Sequence, residues 1–477
     1  MATDTPVWLG CECEYAVMGT DSAGRGQFGH ALLGFIRERL QWLPDYSSSD
    51  GFMSAFGRLY IDCGCHPEIS IRPCSNPYDA VDTINYLQSF AVEFARRHEN
   101  RLFLSRACVD YCSRTTWGNH DCYSVESGSA INVAFVIPHL VTRSLIAGAG
   151  GFQIVDGRVP KVRFCLSPRA QFVDAVAGQT GFPIWQVKPG MASRFDTRVH
   201  IRVGENVISN LALGLKLGTT ALVIALAAEE PQLLRRVPVL ADPVEAIKDI
   251  SNTWWCHRSC PVRTRDGAWV EPLEIQRLYL ELVNEYSDRA GLPPWSKWLT
   301  RIWSEVLDFL DAGIAGPSAD EGDAQTRSWG LDWLAKKDMF ETCLREEGYT
   351  LTDLQKRTVP KELAYRLLRC DMDWARLTDD GPGHQWAQQE EARFPLVSPR
   401  GPDNAPFYPV TGAAKSRSDT IRAKSGDSRY ICSWSCVADR QTHEVMDRFT
   451  DSDGDASARW SKTRAIIDNL EKYPVEG

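Results

Sequence analysis

Short runs of alternating apolar and polar residues dominate the first 210 residues, and longer runs with helical spacing follow them. The alternation predicts strands over Trp8–Val17, Arg58–Ile71, Ser124–Val136 and Arg198–Val203, with helices over Phe28–Leu40 and Asp79–Arg97 between them. From Val207 to about Met372 the pattern is mostly helical. Candidate helices are Val207–Glu230, Pro243–Ser251, Glu271–Arg289, Ser296–Ala312, Arg327–Glu347 and Lys361–Leu368. Prolines crowd the stretch from Asp379 to Ser416 (Pro382, Pro395, Pro399, Pro402, Pro406 and Pro409), which predicts a linker or long surface connection. A strand around Tyr430–Val437 and a helix near Ala458–Lys472 predict a small C-terminal unit. Strands first and helices after predict an α+β fold, one sheet backed by helices. The expected division is a large domain over residues 1–400 and a small α/β domain over residues 401–477.

Strand parity then sorts the chemistry. In Leu9-Gly-Cys-Glu-Cys-Glu-Tyr15, Glu12 and Glu14 share one face while Cys11 and Cys13 share the other. Two carboxylates on one buried face repel unless a cation lies beside them, although a solvated acidic edge strand gives the same pattern. Along Gly57–Glu68, residues Arg58, Tyr60, Asp62, His66 and Glu68 have one parity and Leu59, Ile61, Cys63 and Cys65 the other. Pro67 disturbs the end of that run. Arg198, His200 and Arg202 likewise oppose Val199, Ile201 and Val203, and Gly118-Asn-His120-Asp121 adds an imidazole next to a carboxylate. Carboxylates with imidazoles suit Mg²⁺ or Mn²⁺, and arginines suit phosphates, so the polar face describes a metal–nucleotide site.

Composition changes this picture little. With 43% hydrophobic residues the chain is globular, and a net charge of −9 argues against a nucleic-acid backbone as partner. Met1–Leu9 has no signal-peptide pattern, so the 15 cysteines are expected as reduced thiols in the cytoplasm. The apolar stretch Leu211–Ala228 contains Lys216 and is expected to be a buried helix, with no membrane association. Cys63-x-Cys65-His66 and Cys256-His257-x-x-Cys260 lack the partners of a zinc site, and Gly148-Ala-Gly-Gly151 lacks the Lys-Ser/Thr of a phosphate loop. The oligomeric state is not written in the sequence, and a monomer is the default expectation.

Taken together, the segments resemble the Pup ligase and depupylase family of glutamine synthetase-like carboxylate–amine ligases. The resemblance rests on Gly10-Cys-Glu-Cys-Glu-Tyr15, Arg58-Leu-Tyr-Ile-Asp62, His66-Pro-Glu68, Gly118-Asn-His120, Leu140-Val-Thr-Arg143, Leu166-Ser-Pro-Arg169, Arg198-Val-His200 and Leu215-Lys-Leu-Gly-Thr-Thr-Ala-Leu222, in collinear order. It implies a curved, mainly antiparallel sheet backed by helices. It also implies Mg²⁺ ligands at Glu12, Tyr60 and Glu68, ATP contacts at Arg58 and Trp434, and a catalytic base at Asp62. The physical reading adds Glu14, His120 and His200 as further ligands or phosphate partners, and Arg198 as a nucleotide contact. A base at Asp62 requires burial or the neighbouring glutamates to raise its pKa.

The implied reaction is ATP-dependent: the C-terminal glutamate of a Pup-like modifier becomes an acyl phosphate and is joined to a lysine of a protein substrate. The short Met18–Phe56 connection resembles the ligase branch rather than the depupylase branch. Ile71 stands where the family has a threonine that contacts ATP, leaving Ser70 or Arg72 to substitute. Cys112-Ser-Arg-Thr-Thr116 and Gln186-Val-Lys-Pro-Gly-Met191 also depart from the family pattern. Hydrolysis of the same bond, amide formation on a small molecule or non-Pup peptide, and a degenerate binding protein are the competing readings.

Overall fold

The computed structural model describes residues 7–448 except 20–24, 63, 99–101, 114, 126–130, 155–160, 188–196, 291, 293, 313–329, 357–358, 379–380, 394–411 and 435. Its centre is a nine-stranded sheet. In spatial order the strands are Ala175–Gly178, Pro183–Val187, Thr197–Ile201, Asn119–Val125, Val7–Glu14, Pro67–Ile71, Gly57–Ile61, Phe52–Ser54 and Trp42–Pro44. Neighbours pair antiparallel except at the Ala175–Gly178 edge. The strand nearest the N-terminus thus lies in the middle, and Glu12 and Glu14 with it.

The odd-parity residues form the floor. Leu9, Cys11, Cys13, Leu59, Ile69, Ile71, Tyr123, Val199 and Ile201 are all buried. Two helices, Pro77–Arg97 and Asn210–Glu229, pack against them. The first starts where Pro77 sets the backbone and the Asn76 side chain accepts from the Asp79 N–H at 2.8 Å. The second is apolar on every side because it is buried on every side, with further helices over Pro272–Ala290 and Pro294–Ala312 packed on its far face. It is long and apolar enough to cross a membrane, but 94% of its most apolar window is buried inside the protein.

Several expected elements moved. The Arg58–Ile71 run is a hairpin, not one strand. Asp62 Oδ1 accepts from the Gly64 and His66 N–H groups at 2.9 and 2.8 Å, and Cys65 takes a left-handed φ of 61°. Cys65 is consequently exposed rather than in the core, and Cys63 lies outside the described residues. The strand expected over Ser124–Val136 is instead Asn119–Val125. Parity on that strand sends Asp121 to the floor, away from His120: it pairs with the Arg143 guanidinium at 2.6 Å and accepts from Tyr123 at 2.8 Å. Lys216 is buried beneath the same strand and donates to the Asn119 carbonyl and side chain at 2.7 and 2.6 Å.

Within the expected linker the chain forms the helix Pro382–Arg393, and a second helix, Gly412–Lys424, starts near the linker's end and runs past Ser416. The latter, with strands Tyr430–Cys432, Cys436–Asp439 and Val445–Arg448, docks on the Trp42–Pro44 edge through Leu43, Met53, Ile421, Cys432 and Val437. The expected boundary at residue 400 and the helix expected over Ala458–Lys472 fall outside the described residues.

Asp121→Ala leaves a buried guanidinium without its carboxylate. It is expected to destabilise the protein by about 3–5 kcal/mol in urea denaturation, and a loss below about 1 kcal/mol would contradict the floor described here.

Candidate active site

Strand register builds the site row by row. Arg58, Ser70, Glu12 and His120 stand opposite one another across four strands, and Tyr60, Glu68 and Glu14 form the next row. Facing side chains in antiparallel pairs lie about 4.5–5.5 Å apart at Cβ, so the rows form one polar surface. Cys122 opposes His200, and Ser124 opposes both Trp8 and Arg198. Glu68 therefore reaches the site from the strand beside Tyr60, not from the same one.

Around Glu12, one oxygen lies 3.3 Å from the Arg198 guanidinium. The other is 3.7 Å from His120 Nδ1 and 3.9 Å from His200 Nε2. Cys122 Sγ lies 2.8 Å from His200 Nδ1 and 3.2 Å from Arg198. Burial opposes the Arg198 charge, but Cys122 and Glu12 outweigh it and hold the guanidinium protonated. Glu14 accepts from the Gly118 N–H at 2.7 Å, and its other oxygen is 3.9 Å from His120 Nε2. A Cβ at Gly118 would collide with the His120 ring and the Arg169 guanidinium, so glycine is needed for this approach.

Three carboxylates share this surface, Glu14 and Glu68 buried and Glu12 half-buried. Burial, then the charges of Glu12 and Glu14, push the Glu68 carboxyl well above the ordinary range. Burial followed by Glu68 and Glu12 likewise pushes the Tyr60 phenol up, so it stands as a neutral O–H beside Glu68. Asp62 behaves otherwise. Burial raises it, but the hydrogen bonds from the His66 side chain and backbone and from Gly64 prevail and hold it below the usual carboxylate value. The expected upward shift of Asp62 by its glutamate neighbours is thus not found, because the hairpin turn satisfies its charge first.

Among the described residues, two groups of donors fit a divalent cation: Glu14, Asp62 and Glu68, all oxygen, and Glu12, His120 and His200, mixed. Within each group the ligand atoms lie within 4.8 Å of one another. Glu68 Oε1 and His120 Nε2 are buried with no hydrogen-bond partner among the described residues, as expected of atoms that a cation would satisfy. Beside them opens a cleft lined by Trp8, Glu12, Ser70, Cys122, Arg198 and Trp434. Of the two substitutes for the missing threonine, Ser70 faces this cleft. Arg72 does not: it is fully buried, 3.5 Å from Asp79. Arg58 stands on the same face, clamped by Asp45 at 2.6 Å and stacked 3.9 Å over the Tyr60 ring. Trp8 has the parity of Glu12 and could have been read from it. Cys122 was hidden by the misplaced strand, and Asp45, in a loop, gives no signal.

Residues 10–438 match the family described as Pup-ligase protein. The chain belongs to that family. It is 26% identical over 390 residues to the Pup–protein ligase of Corynebacterium urealyticum, spanning 73% of each chain, and 28% identical over 377 residues to that of Acidimicrobium ferrooxidans, spanning 74% of this chain and 78% of the relative. Its fold is that of the ligase PafA crystallised with the prokaryotic ubiquitin-like protein Pup, with a TM-score of 0.70 at 19% identity over 100% of this chain and 97% of that one. PafA in complex with ADP gives a TM-score of 0.64 at 19% identity over 95% of each chain.

The raised Glu68 carboxyl favours its protonated form in the folded state. Its stabilising contribution is therefore present below the ordinary glutamate pKa of about 4.3 and is lost as pH rises through the shifted value. Thermal melts of the metal-free ligase should show Tm falling across that window, a smaller fall in Glu68→Gln, and recovery on adding Mn²⁺ to the wild type. An identical pH slope in Glu68→Gln would contradict the assignment.

Proposed function

We propose that this Pup-ligase family member activates the C-terminal glutamate of a Pup-like modifier with ATP and joins it to a lysine amine. The observation that carries this reading is the register that sets Arg58, Ser70, Glu12 and His120 in one row, and Tyr60, Glu68 and Glu14 in the next, beside the cleft that Trp434 lines.

In this reading Trp434, Arg198, Ser70 and Arg58 bind the nucleotide: the indole offers a stacking face, and the arginines and hydroxyl meet phosphate oxygens. Glu12, Glu14, Glu68, His120 and His200 would hold Mg²⁺, with the Tyr60 hydroxyl at their edge; the ion supplies charge neutralisation for the triphosphate. A carboxylate oxygen of the modifier attacks the γ-phosphorus, the bond to the β-phosphate oxygen breaks, and ADP leaves. The amine then attacks the acyl carbon and inorganic phosphate leaves.

Asp62 receives the amine proton. Its low pKa keeps it ionised and ready, and it takes the proton as the new carbon–nitrogen bond makes the ammonium more acidic. The same low pKa makes it a poor base toward a free lysine ammonium, whose ordinary pKa is about 10.4, so the acceptor amine must enter already neutral.

ADP release from Mg-ATP, measured with Pup ending in glutamate and with hydroxylamine as a generic amine, tests this. Release should depend on Pup and vanish in Glu12→Ala. Asp62→Asn should bind ATP normally and ligate lysine about 10²–10⁴-fold more slowly. Pup cleavage from a conjugate without net ATP consumption would favour hydrolysis instead. Wild-type protein that binds no nucleotide would sink the enzyme reading.

A further inference from the structure

Arg58 and the strand that leads to Trp434 come from distant parts of the chain, yet both are tied to the loop residues Asp45 and Tyr46. Asp45 is buried, and its carboxylate is aimed. Oδ1 accepts from the Ser47 N–H and hydroxyl, each at 3.0 Å, while Oδ2 accepts from Arg58 Nε at 2.6 Å. The pairing uses Nε, which leaves the two terminal nitrogens of the guanidinium outside that bond, with the Tyr60 ring 3.9 Å beneath. Gly51 closes over the pair: a Cβ there would sit 3.0 Å from Asp45 Oδ2 and 3.0 Å from Tyr60 Cβ.

The backbone of the same loop also braces the strand that leads to Trp434, a residue lining the cleft. Asp45 bridges Cys432 in parallel, and the Tyr46 N–H donates to the Cys432 carbonyl at 2.7 Å, two residues before Trp434. Arg417 then fixes that end by donating to the Trp434 carbonyl at 3.0 Å.

We infer that Asp45 is the positioning residue of the nucleotide site, setting the Arg58 guanidinium for the triphosphate at the joint where the C-terminal unit brings in Trp434. This rests on the nucleotide reading above. Asp45 touches no substrate itself; it acts through Arg58, so its loss should weaken ATP binding and raise the KM for ATP more than it lowers kcat.

A double-mutant cycle on ATP affinity by calorimetry tests it, with Tm recorded for each variant. Arg58→Ala and Asp45→Ala are each expected to weaken ATP binding about tenfold, and the double variant should bind within about twofold of Arg58→Ala alone. Losses that multiply, or an Asp45→Ala protein that binds ATP like the wild type while Arg58→Ala does not, would overturn the inference and leave the nucleotide site standing. Absence of ATP binding in the wild type would overturn both. Should Asp45→Ala fail to fold, Asp45→Asn keeps the size and one of the two oxygens, so that the Ser47 contacts can persist through the oxygen while an NH₂ group faces Arg58 in place of the charged acceptor. It is expected to lose affinity in the Arg58 background and none in the Arg58→Ala background, and an equal loss in both would again overturn the proposal.

Discussion

Burying several carboxylates on one face of one sheet is the constraint on which the rest of this structure depends. Glu12, Glu14 and Glu68 stand on adjacent central strands, and each additional negative charge raises the cost of ionising the others. Water is too scarce there to relieve them, so the surrounding residues are those that lower the cost: Arg198, two imidazoles, the Gly118 N–H and, in our reading, a divalent cation with a triphosphate. A site that is uncomfortable without its ligand binds that ligand strongly, because binding removes the repulsion as well as adding contacts.

Such a face needs a rigid floor. Here the floor is not purely apolar, since Lys216, Asn119, Asp121 and Arg143 form a paired layer directly beneath the strand that carries His120 and Cys122. Each of these groups is satisfied, so the layer acts as a set of fixed struts rather than as a second site. Alternation along Asn119–Val125 thus separates two chemistries within one strand: Cys122 faces the cleft and His120 the Glu12 and Glu14 carboxylates, while Asn119 and Asp121 face the interior.

Much of this was legible in the sequence, for physical reasons that also explain the failures. Glu12 with Glu14, Arg58 with Tyr60, and Arg198 with His200 were placed correctly on one face because a two-residue period survives wherever a strand is continuous. Glu68 was placed on that face by continuing a strand through Asp62–Pro67, where the chain in fact turns on Asp62 and Cys65 and returns. Asp121 was misassigned because its alternation was not followed through a strand whose floor side is polar. The helix Gly412–Lys424 was missed because prolines upstream dominated the composition of the stretch. Asp45 carries no periodic signal at all; only tertiary contact with Arg58 reveals it.

The central claim is that this face transfers the γ-phosphoryl group of ATP to a carboxylate before the amine arrives. The most direct measurement uses Pup whose terminal glutamate carries ¹⁸O in both of its carboxylates, with mass analysis of the phosphate released during ligation. The account predicts one ¹⁸O in the inorganic phosphate, with ADP as the nucleotide product. Phosphate free of label, or AMP in place of ADP, would contradict it.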